Sequence, residues 1–283
     1  MNVINSFMAW VGGKKALRDT ILAHFPIYYE KYIEVFGGGG WVLFHKPPLN
    51  DFEVYNDFNP NLATLYRCVR DKPEELIKEL YYVINSREGF GRIRMLFKNE
   101  VEMTDVQRAA NFYQLIRYSY GNGCDSYCSH PHDMWSNFPL IYQAHRRLRK
   151  TVIENKDFEK LINQYDRPVS FFYCDPPYFD TENYYENVGF GKVDHDRLCK
   201  TLLNIQGKFL LSYNDCPEIK KLYDKPQIFI ESISRINNLA QRYEAGREYA
   251  ELLISNYDTS ELKKQDKQMT LFGLEQENGD YEK

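Results

Sequence analysis

Two short stretches of this chain carry residue types and spacings that could do chemistry. The first is Asp175-Pro176-Pro177-Tyr178, which follows the apolar run Phe171-Phe172-Tyr173-Cys174. Two prolines remove two N–H donors and stiffen the turn, leaving the carbonyls there free to accept hydrogen bonds. A rigid turn offering a carboxylate, a free carbonyl and a ring face suits a planar group bearing an NH2. The two acceptors take its N–H hydrogens and the ring stacks on its plane. The plain alternative is a proline turn with an exposed acid and a packing tyrosine.

The second stretch is Glu34-Val35-Phe36-Gly37-Gly38-Gly39-Gly40, a glycine run after an apolar strand and before an apolar helical stretch. Glycines let the backbone turn tightly and approach a ligand closely, with helix N–H groups aimed at it. Asp57 ends the next strand, about 20 residues after Gly38, where an acid can hold a ribose hydroxyl. The spacing is that of a nucleotide-type cofactor site, although the dinucleotide pattern G-x-G-x-x-G is absent. A plain strand-to-helix turn is the alternative.

Both stretches need elements to position them. Short apolar runs at 32–36, 52–55, 170–174, 209–212 and 228–230 read as buried parallel strands, rich in aromatic and β-branched residues. Helical patterns lie between them: from Pro60 through Val69, from Pro73 through Ile84, and over 194–203 and 217–223. This alternation predicts an α/β fold with a doubly wound sheet, whose ligands bind beyond the carboxyl ends of the strands. The alternation breaks over residues 85–148, which hold a helical stretch (105–118) and a polar loop (120–137). Such an insert is a candidate second domain carrying specificity. After Tyr257 the chain is polar, charged and aperiodic, so residues 258–283 are expected to be a mostly disordered tail.

Composition narrows the function classes. With 283 residues, 43% hydrophobic and 16% aromatic, most of the chain should fold. No apolar run reaches the roughly 20 residues of a membrane span. Residues 1–10 lack the features of a secretory signal, and the six cysteines read as reduced thiols, so the expected location is the cytoplasm, at the nucleoid. The net charge of −4 argues weakly against nucleic acid, but its distribution matters more. Residues 85–150 hold ten Lys/Arg against six Asp/Glu, whereas the tail holds four against seven. A DNA-facing middle segment is consistent with that asymmetry.

The motifs, in this order, resemble the Dam-type (D12 class, alpha group) adenine-N6 DNA methyltransferases over most of the chain, roughly residues 7–257. Trp10-Val11-Gly12-Gly13-Lys14 resembles that family's first cofactor element. Phe36-x-Gly38-x-Gly40 resembles its glycine loop, Asn56-Asp57-x-Asn59 its ribose-side acid, and Asp175-Pro176-Pro177-Tyr178 its catalytic motif. The stretches 211–215 and 251–257 resemble its later core strands. The resemblance implies a Rossmann-like catalytic domain (1–84 and 149–257) that binds S-adenosylmethionine, and a mainly helical target-recognition domain (85–148). It implies cofactor contacts from Trp10, Lys14, Phe36, Gly38, Asp57 and Asp175, with a looser match at Asp157 and Phe158. Asp175 and Pro176 would hold an adenine amino group and Tyr178 would stack on the flipped base. Gly37 and Gly39 occupy variable positions and are expected to loosen the glycine loop.

In the insert, the cluster expected to meet double-stranded DNA is Arg92, Arg94, Arg117, Tyr120, Asn122, Arg146 and Arg147, with Arg to guanine and Asn to adenine as favoured pairings. For any single arginine, a solvated helix face is the plainer reading. The run Cys124-x3-Cys128-x-His130-x-His132 is too cramped for one tetrahedral zinc site, so no metal is expected. Gln268-Met269-Thr270-Leu271-Phe272 resembles the bacterial sliding-clamp-binding peptide, with Gln268, Leu271 and Phe272 as its anchors. A companion restriction nuclease is a further partner of such enzymes. Methylation of RNA or of a protein glutamine, and a non-enzymatic DNA-binding protein on a decayed fold, are the competing readings. Relatives of the first kind usually carry Asn where this chain has Asp175, and decay would first erase the intact quartet 175–178.

Overall fold

The structure is a computed structural model that describes residues 4–49, 52–180, 189–236 and 248–260. Seven strands form one sheet in the order β3-β2-β1-β4-β5-β7-β6. These are β1 (Lys31–Glu34), β2 (Phe52–Asn56), β3 (Thr151–Glu154), β4 (Ser170–Cys174), β5 (Lys208–Asn214), β6 (Phe229–Ile236) and β7 (Glu248–Ser255). The first five in space are parallel; β7 runs antiparallel to β5, and β6 antiparallel to β7.

Side-chain alternation divides the core between the two sheet faces. Tyr32, Tyr55, Phe171, Tyr173 and Leu210 join one cluster; Ile33, Val54, Phe172, Cys174 and Leu211 join the other. The second cluster is covered by α8 (Phe158–Tyr165), α9 (Lys192–Leu203) and α10 (Pro217–Tyr223). The first is covered by α1 (Arg18–Ala23), α2 (Trp41–His45), α3 (Pro60–Asp71) and α4 (Pro73–Tyr81), together with helices from the insert. Helices on both faces make the sheet doubly wound. Local signals set where these helices start. Asn59 caps α3 by accepting from the Asn61 amide at 2.9 Å, with Pro60 in the first turn. Pro73, Glu74 and Glu75 open α4.

The insert contains α5 (Arg87–Lys98), α6 (Asp105–Tyr118) and α7 (Phe138–Leu148). A Thr104–Gln107 capping box starts α6. Its buried residues share a cluster with residues of β1, β2, β4 and α1 to α4. Phe7 stacks near Tyr113, with ring centroids 6.1 Å apart, and Trp10 meets Phe112 at 5.8 Å. The N-terminal segment that carries Trp10 therefore rests on α6.

The run at 228–230 differs from the expectation of a buried parallel strand. It opens β6, which is antiparallel and lies at the sheet edge, with Phe229 and Ile230 partly exposed. Strand β3 lies outside the runs read from the sequence: Thr151-Val152-Ile153-Glu154 holds only two adjacent apolar residues, Val152 and Ile153, fewer than the runs that mark the other strands.

Candidate active site

The strand order reverses between β1 and β4, which are neighbours although β2 and β3 continue on the other side of β1. In an open α/β sheet this switch point opens a crevice beyond the carboxyl ends of the strands. The glycine loop leaves β1 there and Asp175 leaves β4 there. A single cleft contains both, lined among others by Trp10, Lys14, Phe36, Gly38, Asp57, Asp175, Pro176 and Tyr178. The two sequence motifs thus meet in space.

At the glycine end, Gly38 sits at φ +46°, and a Cβ there would lie 2.9 Å from the Trp10 ring. Only glycine fits that conformation and that approach without strain. Its amide donates to Asp57 Oδ2 at 2.8 Å, and Asp57 Oδ1 accepts from the Asn59 amide at 2.8 Å. Burial pushes the Asp57 carboxyl up to about 6 against the pull of these two amides. Asn56 fixes the strand ends around it, donating to the Val35 and Lys156 carbonyls at 2.9 and 3.1 Å. At Gly37 there is no room for a side chain, since a Cβ there would lie 2.1 Å from the Tyr55 ring. That residue is small because the ring packs on the backbone.

At the acidic end, Asp175 Oδ1 pairs with Lys14 Nζ at 2.6 Å and accepts from Ser212 Oγ at 3.0 Å. Burial raises the Asp175 carboxyl above the usual carboxylate range, opposed by Lys14 and reinforced by Glu251. Lys14 also sits over the Tyr178 ring, 4.7 Å from its centroid. The Tyr178 hydroxyl donates to Glu251 Oε2 at 2.8 Å. Glu34 lines the cleft too; it accepts from the Tyr32 hydroxyl at 2.6 Å, and burial pushes it up to about 8.

Glu34, Ser212, Asn214 and Glu251 lie inside stretches read from the sequence (34–40, 211–215 and 251–257) and Phe58 fills the variable position of Asn56-Asp57-x-Asn59, but none carries a site role there; the structure places all five in or beside the cleft. Glu34 closes β1 and Glu251 lies within β7, each next to apolar residues and each buried, a placement that costs stability unless the carboxylate is compensated. Asp157 and Phe158 lie outside the cleft lining. Asp157 caps α8 and pairs with Arg197 at 2.7 Å, while the Phe158 ring lies 5.7 Å from that of Phe36, which does line it.

The basic set separates into two groups. Arg92, Arg94 and Arg146 are exposed, Tyr120 is 73% exposed, and Asn122 is half-buried. Arg117 instead donates to the Phe7 carbonyl and to the Tyr113 hydroxyl, bracing the N-terminal segment. The Arg147 side chain is 6% exposed, pairs with Glu53 at 2.5 Å and donates to the Leu43 carbonyl at 2.8 Å. Buried acceptors hold both of these guanidiniums, a packing role beside the DNA-facing one expected of them. The anchors Gln268, Leu271 and Phe272 lie outside the described residues. Among those described, no helix is long and apolar enough to cross a membrane.

A doubly wound sheet whose glycine loop and Asp-Pro-Pro-Tyr turn face one cleft at the switch point is the architecture of an α/β enzyme with its ligand site beyond the strand ends. The family profile of D12 class N6 adenine-specific DNA methyltransferases matches residues 10–242, and the chain belongs to that family. It is an adenine-specific DNA methyltransferase. It is 29% identical to the type II methyltransferase M1.LlaDCHI of Lactococcus lactis subsp. cremoris, over 90% of this chain and 96% of that protein. The DNA adenine methylase of Vibrio cholerae is 28% identical over 88% of this chain and 95% of its own length. The retron Ec67 DNA adenine methylase of Escherichia coli is 25% identical over 78% and 81%.

Proposed function

We propose that the cleft binds S-adenosylmethionine at its glycine end and a flipped-out adenine at its Asp175 end, so that methyl donor and amine meet at the sheet switch point. The observation that carries this is the meeting of the Gly38–Asp57 pair and the Asp175 carboxylate in one cleft. The residues fit such a cofactor. A Cβ-free loop allows close approach, Trp10 and Phe36 offer ring faces, and Asp57 offers a carboxylate that can accept from a ribose. Asp157 and Phe158 would support the cofactor's adenine side through Phe36. When bound, the cofactor supplies an electrophilic methyl group on a sulfonium.

This chain's residues supply alignment and electrostatics. An exocyclic adenine amine is a poor nucleophile, because its lone pair is delocalised into the ring. Asp175 and the Pro176 carbonyl accept its two N–H bonds, favouring a pyramidal nitrogen and stabilising the positive charge that develops there. The raised Asp175 carboxyl is suited to take the N6 proton once the nitrogen is methylated. The base must leave the duplex, at about a few kcal/mol. Stacking on Tyr178, worth roughly 1–3 kcal/mol, offsets part of this.

Residues 85–148 serve as the target-recognition region, with Arg92, Arg94, Tyr120, Asn122 and Arg146 as its DNA-facing members. The peptide at Gln268, Leu271 and Phe272 would dock on a sliding clamp, and a companion restriction nuclease and a nucleoid location complete the reading. The test is expression in cells without adenine methylation, followed by sequencing with N6-methyladenine detection. One methylated motif is expected, and none from an Asp175→Ala variant, which has no acceptor at that position. Equal methylation by the folded Asp175→Ala protein would overturn the assignment.

A further inference from the structure

Strands β5 and β7 pair antiparallel, with Asn214 opposite Glu251. Because β7 reverses direction, Glu251 near its start reaches the same sheet edge as the carboxyl ends of the parallel strands. Three groups on this pair grip the Asp-Pro-Pro-Tyr turn in succession. Ser212 Oγ donates to Asp175 at 3.0 Å. Glu251 accepts from the Tyr178 hydroxyl at 2.8 Å. Asn214 accepts from the Phe179 amide at 3.2 Å and donates to the Phe179 carbonyl at 3.3 Å. Glu251 is only 2% exposed. A carboxylate in such a place costs stability unless hydrogen bonds and charge compensate it, so its presence asks for a use.

We propose that Glu251 is a positioning residue of the methyl transfer: its hydrogen bond to the Tyr178 hydroxyl fixes the ring on which the target adenine stacks. The two prolines fix their own φ angles but not the side-chain torsions of Tyr178. The Glu251 bond, together with the Lys14 cation over the ring, sets those torsions before the base arrives, which is the preorganisation catalysis needs. An ionised acceptor holds the hydroxyl more firmly than a neutral one. Two facts on the same side chain support this: Glu251 lines the cleft, and its charge adds to the rise of the Asp175 carboxyl. The inference rests on the reading of Asp175 and Tyr178 given above.

The test uses the full-length protein, unmethylated genomic DNA and a tritiated methyl donor in single-turnover reactions, with S-adenosylmethionine affinity measured separately. Glu251→Ala and Tyr178→Phe are each expected to slow transfer about 10–30-fold, the worth of one charged hydrogen bond, with cofactor affinity within about twofold. The double variant should be no slower than the slower single, because both break one bond. Glu251→Gln, whose amide oxygen can still accept, should recover the rate to within about threefold. Multiplying losses in the double variant, or a Glu251→Gln as slow as Glu251→Ala, would overturn the proposal. So would a wild-type rate for Tyr178→Phe, a variant that remains informative even if Glu251→Ala does not fold. Asp175→Ala run in parallel separates the two levels. If it is folded, binds cofactor and remains fast, the reading of the turn itself fails. If it is silent while the other variants behave independently, only the role of Glu251 fails.

Discussion

Lys14 Nζ and Asp175 Oδ1 lie 2.6 Å apart, joining the first and the fourth motifs of the chain in one buried ion pair. Lys14 holds the Asp175 carboxyl down against a burial effect that pushes it up. Replacing Lys14 by Met removes that hold, so the carboxyl must rise further. If ionised Asp175 accepts the amine hydrogens, the acid limb of the pH–rate profile for Lys14→Met moves to higher pH by about 1 unit or more. Lys14→Arg, which keeps the charge, leaves the limb near its wild-type place. Single-turnover rates at saturating cofactor between pH 5 and 9 check this. An unmoved limb in Lys14→Met would show that another group titrates.

Glu34 links the site to stability. Its carboxyl is raised from 4.5 to about 8 by burial, and the unfolded chain ionises near the lower value. Between those two pH values the native state binds the extra proton, so stability falls as pH rises. Asp57, raised to about 6, has the same sign but ends its contribution lower. The raised Asp175 carboxyl adds a decline of the same sign, so between pH 6 and 8 the slope is shared by Glu34 and Asp175, and Glu34→Gln should reduce it. Urea midpoints across that range are the measurement, and an undiminished slope in Glu34→Gln would assign it elsewhere.

Glycine positions offer a paired comparison. Gly38→Ala would place a Cβ 2.9 Å from the Trp10 ring at a φ of +46°. It should cost about 1–3 kcal/mol of stability and weaken cofactor binding, because the Trp10 face must move. Gly91 lies inside α5 and a Cβ there meets nothing within 4 Å. Gly91→Ala should stabilise by up to ~1 kcal/mol and leave cofactor affinity alone. Calorimetric titration with S-adenosylmethionine beside urea melts tests both, and equal cofactor affinity in Gly38→Ala would remove the loop from the binding site.

The parts legible in the sequence are those where one short stretch does one job. Ser170–Cys174 is fully buried and reads as a strand without its neighbours. Gly38 and Asp57 announce each other by spacing, and they are hydrogen bonded. What stayed hidden depends on partners far along the chain. Glu251 looks like a stray acid in a β-strand until register places it opposite Asn214 and beside Tyr178. Arg147 looks like its exposed neighbour Arg146 until the helix turns it toward Glu53. Charge counts report how many arginines an insert holds, whereas helix phase decides which of them reach solvent.

That difference makes the basic insert testable residue by residue. Arg92, Arg94 and Arg146 are exposed. If each contacts a DNA phosphate, replacement by Ala weakens binding across all sequences and lowers the salt slope by about 0.9. Arg147 shares Glu53 with Lys46 in a buried cluster, where Glu53 is held below its ordinary range by both cations. Arg147→Ala therefore acts on folding: it leaves a buried carboxylate with Lys46 as its remaining cation and should cost about 3–5 kcal/mol. Its salt slope for DNA should match the wild type at temperatures where it is folded. Urea denaturation with fluorescence anisotropy on duplex DNA at several salt concentrations separates these outcomes. An Arg147→Ala protein of normal stability but reduced salt slope would place that guanidinium on the DNA after all.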